Sequence, residues 1–145
     1  MINDFAETKA FAKVNLTLDV LKKRADGFHE LSTVMQTVAL YDELFADFAH
    51  DDIVVSADAD LPEGSVAFRA AYEYAERTRC GGAHIYIRTH IPHMAGLGGS
   101  SADGAGVLRL MQRRYNAMGE AELYSLAAEL GSDVPFLLHG ATALC

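Results

Sequence analysis

Ile91–Val107 reads IPHMAGLGGSSADGAGV: a proline closes what precedes it, glycines recur at 96, 98 and 99, and Ser100, Ser101 and Asp103 lead into a helix. Glycine reaches backbone conformations closed to other residues and allows close approach to a ligand, while serine and aspartate are side chains that open helices. A loop that runs into a helix start presents free backbone N–H groups and the positive end of the helix dipole, which together make an anion site, most often for phosphate. A glycine-rich turn in front of a helix is also an ordinary structural feature. Two familiar phosphate loops are excluded. A Walker A loop needs Gly-Lys-Ser/Thr and this stretch has no lysine; a dinucleotide fingerprint needs GxGxxG, and Gly96-x-Gly98 is followed by Ser101 where the last glycine belongs. Any phosphate held here is held by a different loop.

Upstream of the loop, Ala83 to Ile91 has period two, with Ile85, Ile87 and Ile91 on the inner side and Tyr86, Arg88 and His90 on the outer. Pro92 ends that strand. Downstream, the helix is expected to bury Gly104, Val107, Leu108, Met111 and Tyr115, and the small residues Ala102, Gly104, Ala105 and Gly106 allow close packing against a neighbour. Glu120–Leu130 reads as a further helix with the stripe Leu123, Leu126, Ala127 and Leu130, stopped by Gly131. Asp133 precedes a proline-marked turn, where the ordinary role of an aspartate is to cap a helix that carries Pro135 in its first turn. Ala141 to Cys145 reads as the start of another strand, with no closing turn or polar tail, as in a chain that has been cut.

In the N-terminal part, Ala10 to Val20 alternates strictly, placing Ala12, Val14, Leu16, Leu18 and Val20 on a core side and Phe11, Lys13, Asn15, Thr17 and Asp19 on the other. The usual meaning of the second side is a solvated face. Lys22 to Glu30 is a turn built on Asp26-Gly27, a dipeptide that favours hairpins. It projects Phe28 and His29, a pair that caps a core or sandwiches a planar ring. Leu31 to Leu40 and Glu43 to Phe48 read as strands around a turn at Tyr41-Asp42, followed by a strand over Ile53 to Ala57 and a loop over Asp58 to Gly64. Ser65 is a good N-cap for a helix from Val66 to Arg79, with Ala67, Ala70, Ala71, Tyr74 and Ala75 as its buried stripe and Cys80-Gly81-Gly82 as its stop.

Length and composition bound the rest. The chain has 145 residues, half of them hydrophobic, which suits one domain with its own core. A net charge of −8 without a Lys/Arg cluster beyond Lys22, Lys23 and Arg24 argues against a nucleic-acid partner. The apolar runs are too short to span a membrane, and MINDFAETKA lacks the apolar segment of a secretory signal, so a cytoplasmic location is expected. Cys80 and Cys145 form no CxxC pair, and the six histidines show neither HxxxH nor HExxH spacing, so no metal ligand is read from spacing. Strands followed by helices suggest an α+β fold, an antiparallel-rich mixed sheet covered on one side by three helices.

Three stretches together resemble the GHMP kinase superfamily: AKVNLTLDVLKKRADGFHEL at Ala12–Leu31, IPHMAGLGGSSADGAGVL at Ile91–Leu108, and GSDVPFLLHGA at Gly131–Ala141. Within the superfamily, the first stretch is similar to kinases that phosphorylate a hydroxyl of a cytidyl-bearing methylerythritol in isoprenoid precursor biosynthesis; mevalonate-type or homoserine kinases and a non-catalytic nucleotide-binding module are the other readings. The resemblance implies a ribosomal-protein-S5-like N-terminal domain over residues 1–145, with the family's C-terminal domain absent from this sequence and the isolated domain weak or inactive. It implies that the loop Ala95, Gly96, Leu97, Gly98, Gly99, Ser100, Ser101, Ala102 and Asp103 wraps the phosphates of ATP. Mg²⁺ would be carried with the nucleotide, near Ser101. It further implies that Asp133 is the catalytic aspartate, that Lys13 pairs with it and Asn15 helps hold that cluster, and that Phe28 and His29 bind the cytosine ring. Ser65 falls near the adenine, where relatives usually carry Asn.

Overall fold

The computed structural model describes residues 3–23, 29–93, 97–139 and 142–144. In chain order these form β1 (Phe5–Lys23), β2 (His29–Asp47), β3 (Ile53–Ala57), α1 (Val66–Thr78), β4 (Ala83–Arg88), α2 (Gly99–Tyr115), α3 (Glu120–Leu130), α4 (Val134–His139) and β5 (Thr142–Leu144). The sheet runs β1-β2-β4-β3, with β5 also on β2. Pairing is antiparallel for β1 with β2, β2 with β4 and β2 with β5, and parallel for β3 with β4. This is the expected antiparallel-rich mixed sheet.

One face of the sheet is core and the other is open. Ala10, Ala12, Leu44, Ala46, Ile85 and Ile87 are buried on one side, while Phe11, Val54 and Tyr86 are exposed on the other. Alternation at period two produces this division directly. The helices complete the buried side through Ala70, Tyr74, Val107, Leu108, Met111 and Leu126. Close contact depends on missing side chains at two points of α2: a Cβ on Gly104 would lie 2.5 Å from Val66 Cγ1, and one on Gly106 would lie 2.9 Å from Leu44 Cδ2.

Four sequence expectations change. Tyr41-Asp42 is not a turn: β2 runs through it unbroken, with Ala10 opposite Asp42 and Phe11 opposite Tyr41. The alternation of β1 does not persist either, because Leu16 is 58% exposed whereas Lys13 is buried. The cause is a bulge. Phe11 pairs with Tyr41 and Lys13 with Thr37, so three residues of β2 stand opposite Ala12 alone and the strand turns Lys13 away from the solvated face. Helix α1 stops at Thr78 with Arg79 itself in the left-handed conformation (φ 59°), ahead of the glycines. Finally, residues 134–139 form a short fourth helix where three were expected.

Helices α1 and α3 otherwise lie where periodicity put them, and Ser65 caps α1, its Oγ accepting the Phe68 N–H at 3.2 Å. The hairpin joining β1 to β2 is present, with Lys23 opposite His29; the Asp26-Gly27 turn itself lies outside the described residues. Among the described residues, no helix is long and apolar enough to cross a membrane.

Candidate nucleotide and phosphoryl-transfer site

Helix α2 begins at Gly99, and its cap residue Gly98 has φ +67° with no side-chain cap. The amides of the first helical turn have no intrahelical acceptor, so an uncapped start leaves them for a ligand. Gly98 is required twice over. Its φ is one that favours glycine, and a Cβ there would lie 3.1 and 3.2 Å from Cε and Cγ of Lys13. The Lys13 N–H donates to the Leu97 carbonyl at 3.0 Å. Thus the bulge that interrupts β1 also ties it to the glycine loop.

Lys13 and Asp133 meet. Lys13 Nζ lies 3.4 Å from Asp133 Oδ2, the lysine side chain buried and the aspartate 32% exposed. Asp133 stands immediately before α4 and its carbonyl accepts the Leu137 N–H at 3.1 Å, so the capping position expected from Pro135 and the pairing with Lys13 coexist. Arg109 holds the two supporting elements together: its guanidinium donates to the Leu137 carbonyl at 3.1 Å and to the Lys9 carbonyl at 2.8 Å, joining α4 to β1. Ser101 packs near the turn that leads to Asp133, its Oγ 3.7 Å from where a Cβ on Gly131 would sit.

Beside the start of α2 is a cavity of about 550 Å³, lined by residues 59–67, Thr89, Ile91 to His93, Gly98 to Ser100, Asp42 and Asp103. Ser65 lines it while serving as the α1 cap. Asp103 departs from expectation. It lies inside α2 instead of opening it, is 7% exposed, and its Oδ1 has no hydrogen-bond partner. Burial first, then a hydrogen bond that its protonated form donates to neighbouring Asp42 and the negative charge of that residue, push its carboxyl up to about 9. Near neutral pH Asp103 therefore holds a proton. Asp42 in turn accepts the N–H of His90 at 2.7 Å and of Ile91 at 2.8 Å, fixing the segment that walls the cavity.

Of the residues singled out in the sequence, Lys13, Asp133, Leu97 and Gly98 converge, while Gly99 to Ala102 follow in the first turn of α2, Ala102 donating its N–H to the Gly98 carbonyl at 2.8 Å. Asn15 follows Lys13 in unbroken register, opposite Met35 where Lys13 is opposite Thr37, yet it is exposed where Lys13 is buried. Phe28, Ala95, Gly96 and the side chain of His29 lie outside the described residues. Sequence reading missed Asp42 and Arg109. Asp42 had a signal, since it shares its parity with the buried Leu44, Ala46 and Phe48.

Residues 65–141 match the family described as the GHMP kinases N terminal domain. The chain is 45% identical over 143 residues to the 4-diphosphocytidyl-2-C-methyl-D-erythritol kinase of Caldicellulosiruptor saccharolyticus, covering 94% of this chain and 49% of that protein. It is 43% identical over 141 residues to the enzyme of the same name from Acetivibrio thermocellus, with 94% and 50% covered. A crystal structure of 4-(cytidine 5'-diphospho)-2C-methyl-D-erythritol kinase superposes with a TM-score of 0.87 at 39% identity, over 97% of this chain and 51% of that one. The chain thus spans about half the length of the relatives it matches.

Proposed function

The chain belongs to the GHMP kinases, and from that membership we propose that it is the nucleotide-binding half of an ATP-dependent kinase that phosphorylates a hydroxyl of 4-diphosphocytidyl-2-C-methyl-D-erythritol. The observation that carries this reading is the Lys13–Asp133 pair, 3.4 Å apart beside the uncapped start of α2. Phosphoryl transfer asks a protein mainly for positioning and for stabilisation of charge. The first-turn amides of α2 receive the phosphates of ATP, Asp133 accepts the proton of the attacking hydroxyl, and Lys13 opposes the charge that develops on the transferred group. The cavity next to α2 takes the rest of the nucleotide, with Ser65 at its wall. Magnesium would arrive with ATP and would neutralise phosphate charge there, with the Ser101 hydroxyl as its protein contact. Asn15, exposed two residues beyond Lys13 on β1, faces the acceptor substrate. Phe28 and His29 take the cytosine ring.

The relatives are about twice as long as this chain, and we propose that the part without a counterpart here closes over the acceptor substrate. The 145-residue chain alone is then expected to bind nucleotide and to turn over weakly. The test is ADP release from ATP and the cytidyl substrate, measured on the domain joined to the C-terminal half of one of these relatives. Turnover that requires the cytidyl substrate and is lost in Asp133→Asn supports the reading. Equal turnover with mevalonate or homoserine would assign a different substrate, and full activity in Asp133→Asn would remove the proposed base.

A further inference from the structure

A second cluster of ligating groups lies at the far end of β4. His84 is the second residue of that strand and Thr89, on the cavity wall, lies just beyond its end, so about 16 Å of extended chain separates the two regions. Around His84 the main chain is pinned. The Gly82 N–H donates to the His50 carbonyl at 3.1 Å and the Ala83 N–H to the Asp52 carbonyl at 2.9 Å. Gly82 is indispensable to this approach, because a Cβ there would lie 2.3 Å from the Asp52 carbonyl oxygen. Tyr115 adds a third tie, its hydroxyl donating to the Gly82 carbonyl at 2.7 Å. His84 is also the register partner of Asp47 on β2 and of Val54 on β3, so three strands converge on it.

The side chains gathered by this framework are two imidazoles, each with its own carboxylate. His84 Nε2 is 2.7 Å from Asp52 Oδ1, and His50 Nε2 is 3.1 Å from Asp47 Oδ2. The two rings stack face to face with centroids 3.5 Å apart and planes 3° from parallel. One donor atom from each of His50, Asp52 and His84 lies within 4.8 Å of the others.

We propose that His50, Asp52 and His84 bind a late first-row divalent cation of the zinc class, with Asp47 holding the His50 ring from outside. Two imidazoles and one carboxylate suit zinc, nickel or copper; magnesium and calcium prefer oxygen-only surroundings. Three protein ligands leave a position for water, as in open zinc sites. Each ring turns about χ2, a soft torsion, to aim its nitrogen at the shared point. The ion and protons compete for the same imidazole nitrogens, as at any histidine metal site, so affinity falls in acid. It clamps the β2–β3 connection to β4 and is independent of the nucleotide site.

The experiment is a titration of the tag-free 145-residue chain with Co²⁺ and Zn²⁺, with Mg²⁺ as the control. One equivalent of Co²⁺ is expected to give visible absorption that Zn²⁺ abolishes, and Zn²⁺ to raise the thermal midpoint while Mg²⁺ leaves it in place. His84→Gln, His50→Gln and Asp52→Asn should each weaken binding at least about tenfold, and Asp47→Asn less. In the wild-type chain, amide resonances of residues 47–52 and 82–84 should broaden first when Co²⁺ is added. The proposal is overturned if Co²⁺ gives no absorption, if broadening centres elsewhere, or if the folded His50→Gln/His84→Gln double variant binds Zn²⁺ as tightly as wild type.

Discussion

Asp133 and Asp103 both lie beside the start of α2, and their surroundings set them apart. Asp133 is part-exposed, sits ahead of a short helix, and has a lysine ammonium 3.4 Å away. Asp103 is inside the helix, buried against a second carboxyl, and keeps its proton to about pH 9. The first arrangement suits a group that takes a proton from a substrate; the second makes a neutral strut that joins α2 to Asp42 and so to the His90–Ile91 backbone. Residue type alone assigns neither role. Access to water and the sign of the nearest charge separate the two carboxyls, and the proposed roles rest on that separation.

The sharpest way to break this contrast is by substitution in a complete kinase carrying this half. Asp133→Asn should lower kcat by about 100-fold or more, and Lys13→Ala by a similar factor, while Asp103→Asn, which mimics the protonated acid, should leave turnover at pH 7 within about tenfold. Equal losses at 103 and 133 would erase the distinction.

Next in size is a pH effect on stability. The folded-state pKa of Asp103 is raised far above its unfolded value near 4. Below about pH 4 both states hold the proton; between about 4 and 9 only the folded state does, so the advantage this group gives falls as pH rises. Asp103→Asn cannot ionise in either state. Its stability relative to wild type should therefore increase between pH 5 and 8, by at most about 1.4 kcal/mol per pH unit, as read by urea denaturation. A difference that stays flat across that range would show that Asp103 is not the buried acid described here.

Gly98→Ala tests the contact between the loop and Lys13. With φ at +67° and Lys13 Cε 3.1 Å from the new Cβ, it should cost about 1–3 kcal/mol and displace the lysine from Asp133. The smallest effect is expected from Ser65→Ala, about 1 kcal/mol from the lost cap of α1, with nucleotide affinity nearly unchanged. A large loss of affinity there would give Ser65 a direct part in binding.

Much of this was legible in the sequence because it depends on local rules. Alternation in Ile85 and Ile87, the stripe of α3, the Ser65 cap and the glycine run before α2 are each local patterns, and the structure follows them. What escaped depends on partners remote in the chain. The burial of Lys13 comes from a bulge set by its pairing with β2, and alternation within β1 carries no trace of it. Asp42 read as a turn because the backbone N–H groups that satisfy its carboxyl are 48 and 49 residues away. His50 and His84 show no metal-ligand spacing for the same reason: the sheet brings them together.

The central claim is that the first-turn amides of α2 receive nucleotide phosphate. A ¹⁵N-labelled sample of the chain, titrated with Mg²⁺ and a non-hydrolysable ATP analogue and separately with adenosine, tests it directly. The amides of Gly99, Ser100 and Ser101 are predicted to move more than any others with the analogue and to stay in place with adenosine. Equal movement with both ligands, or none at saturating analogue, would contradict it.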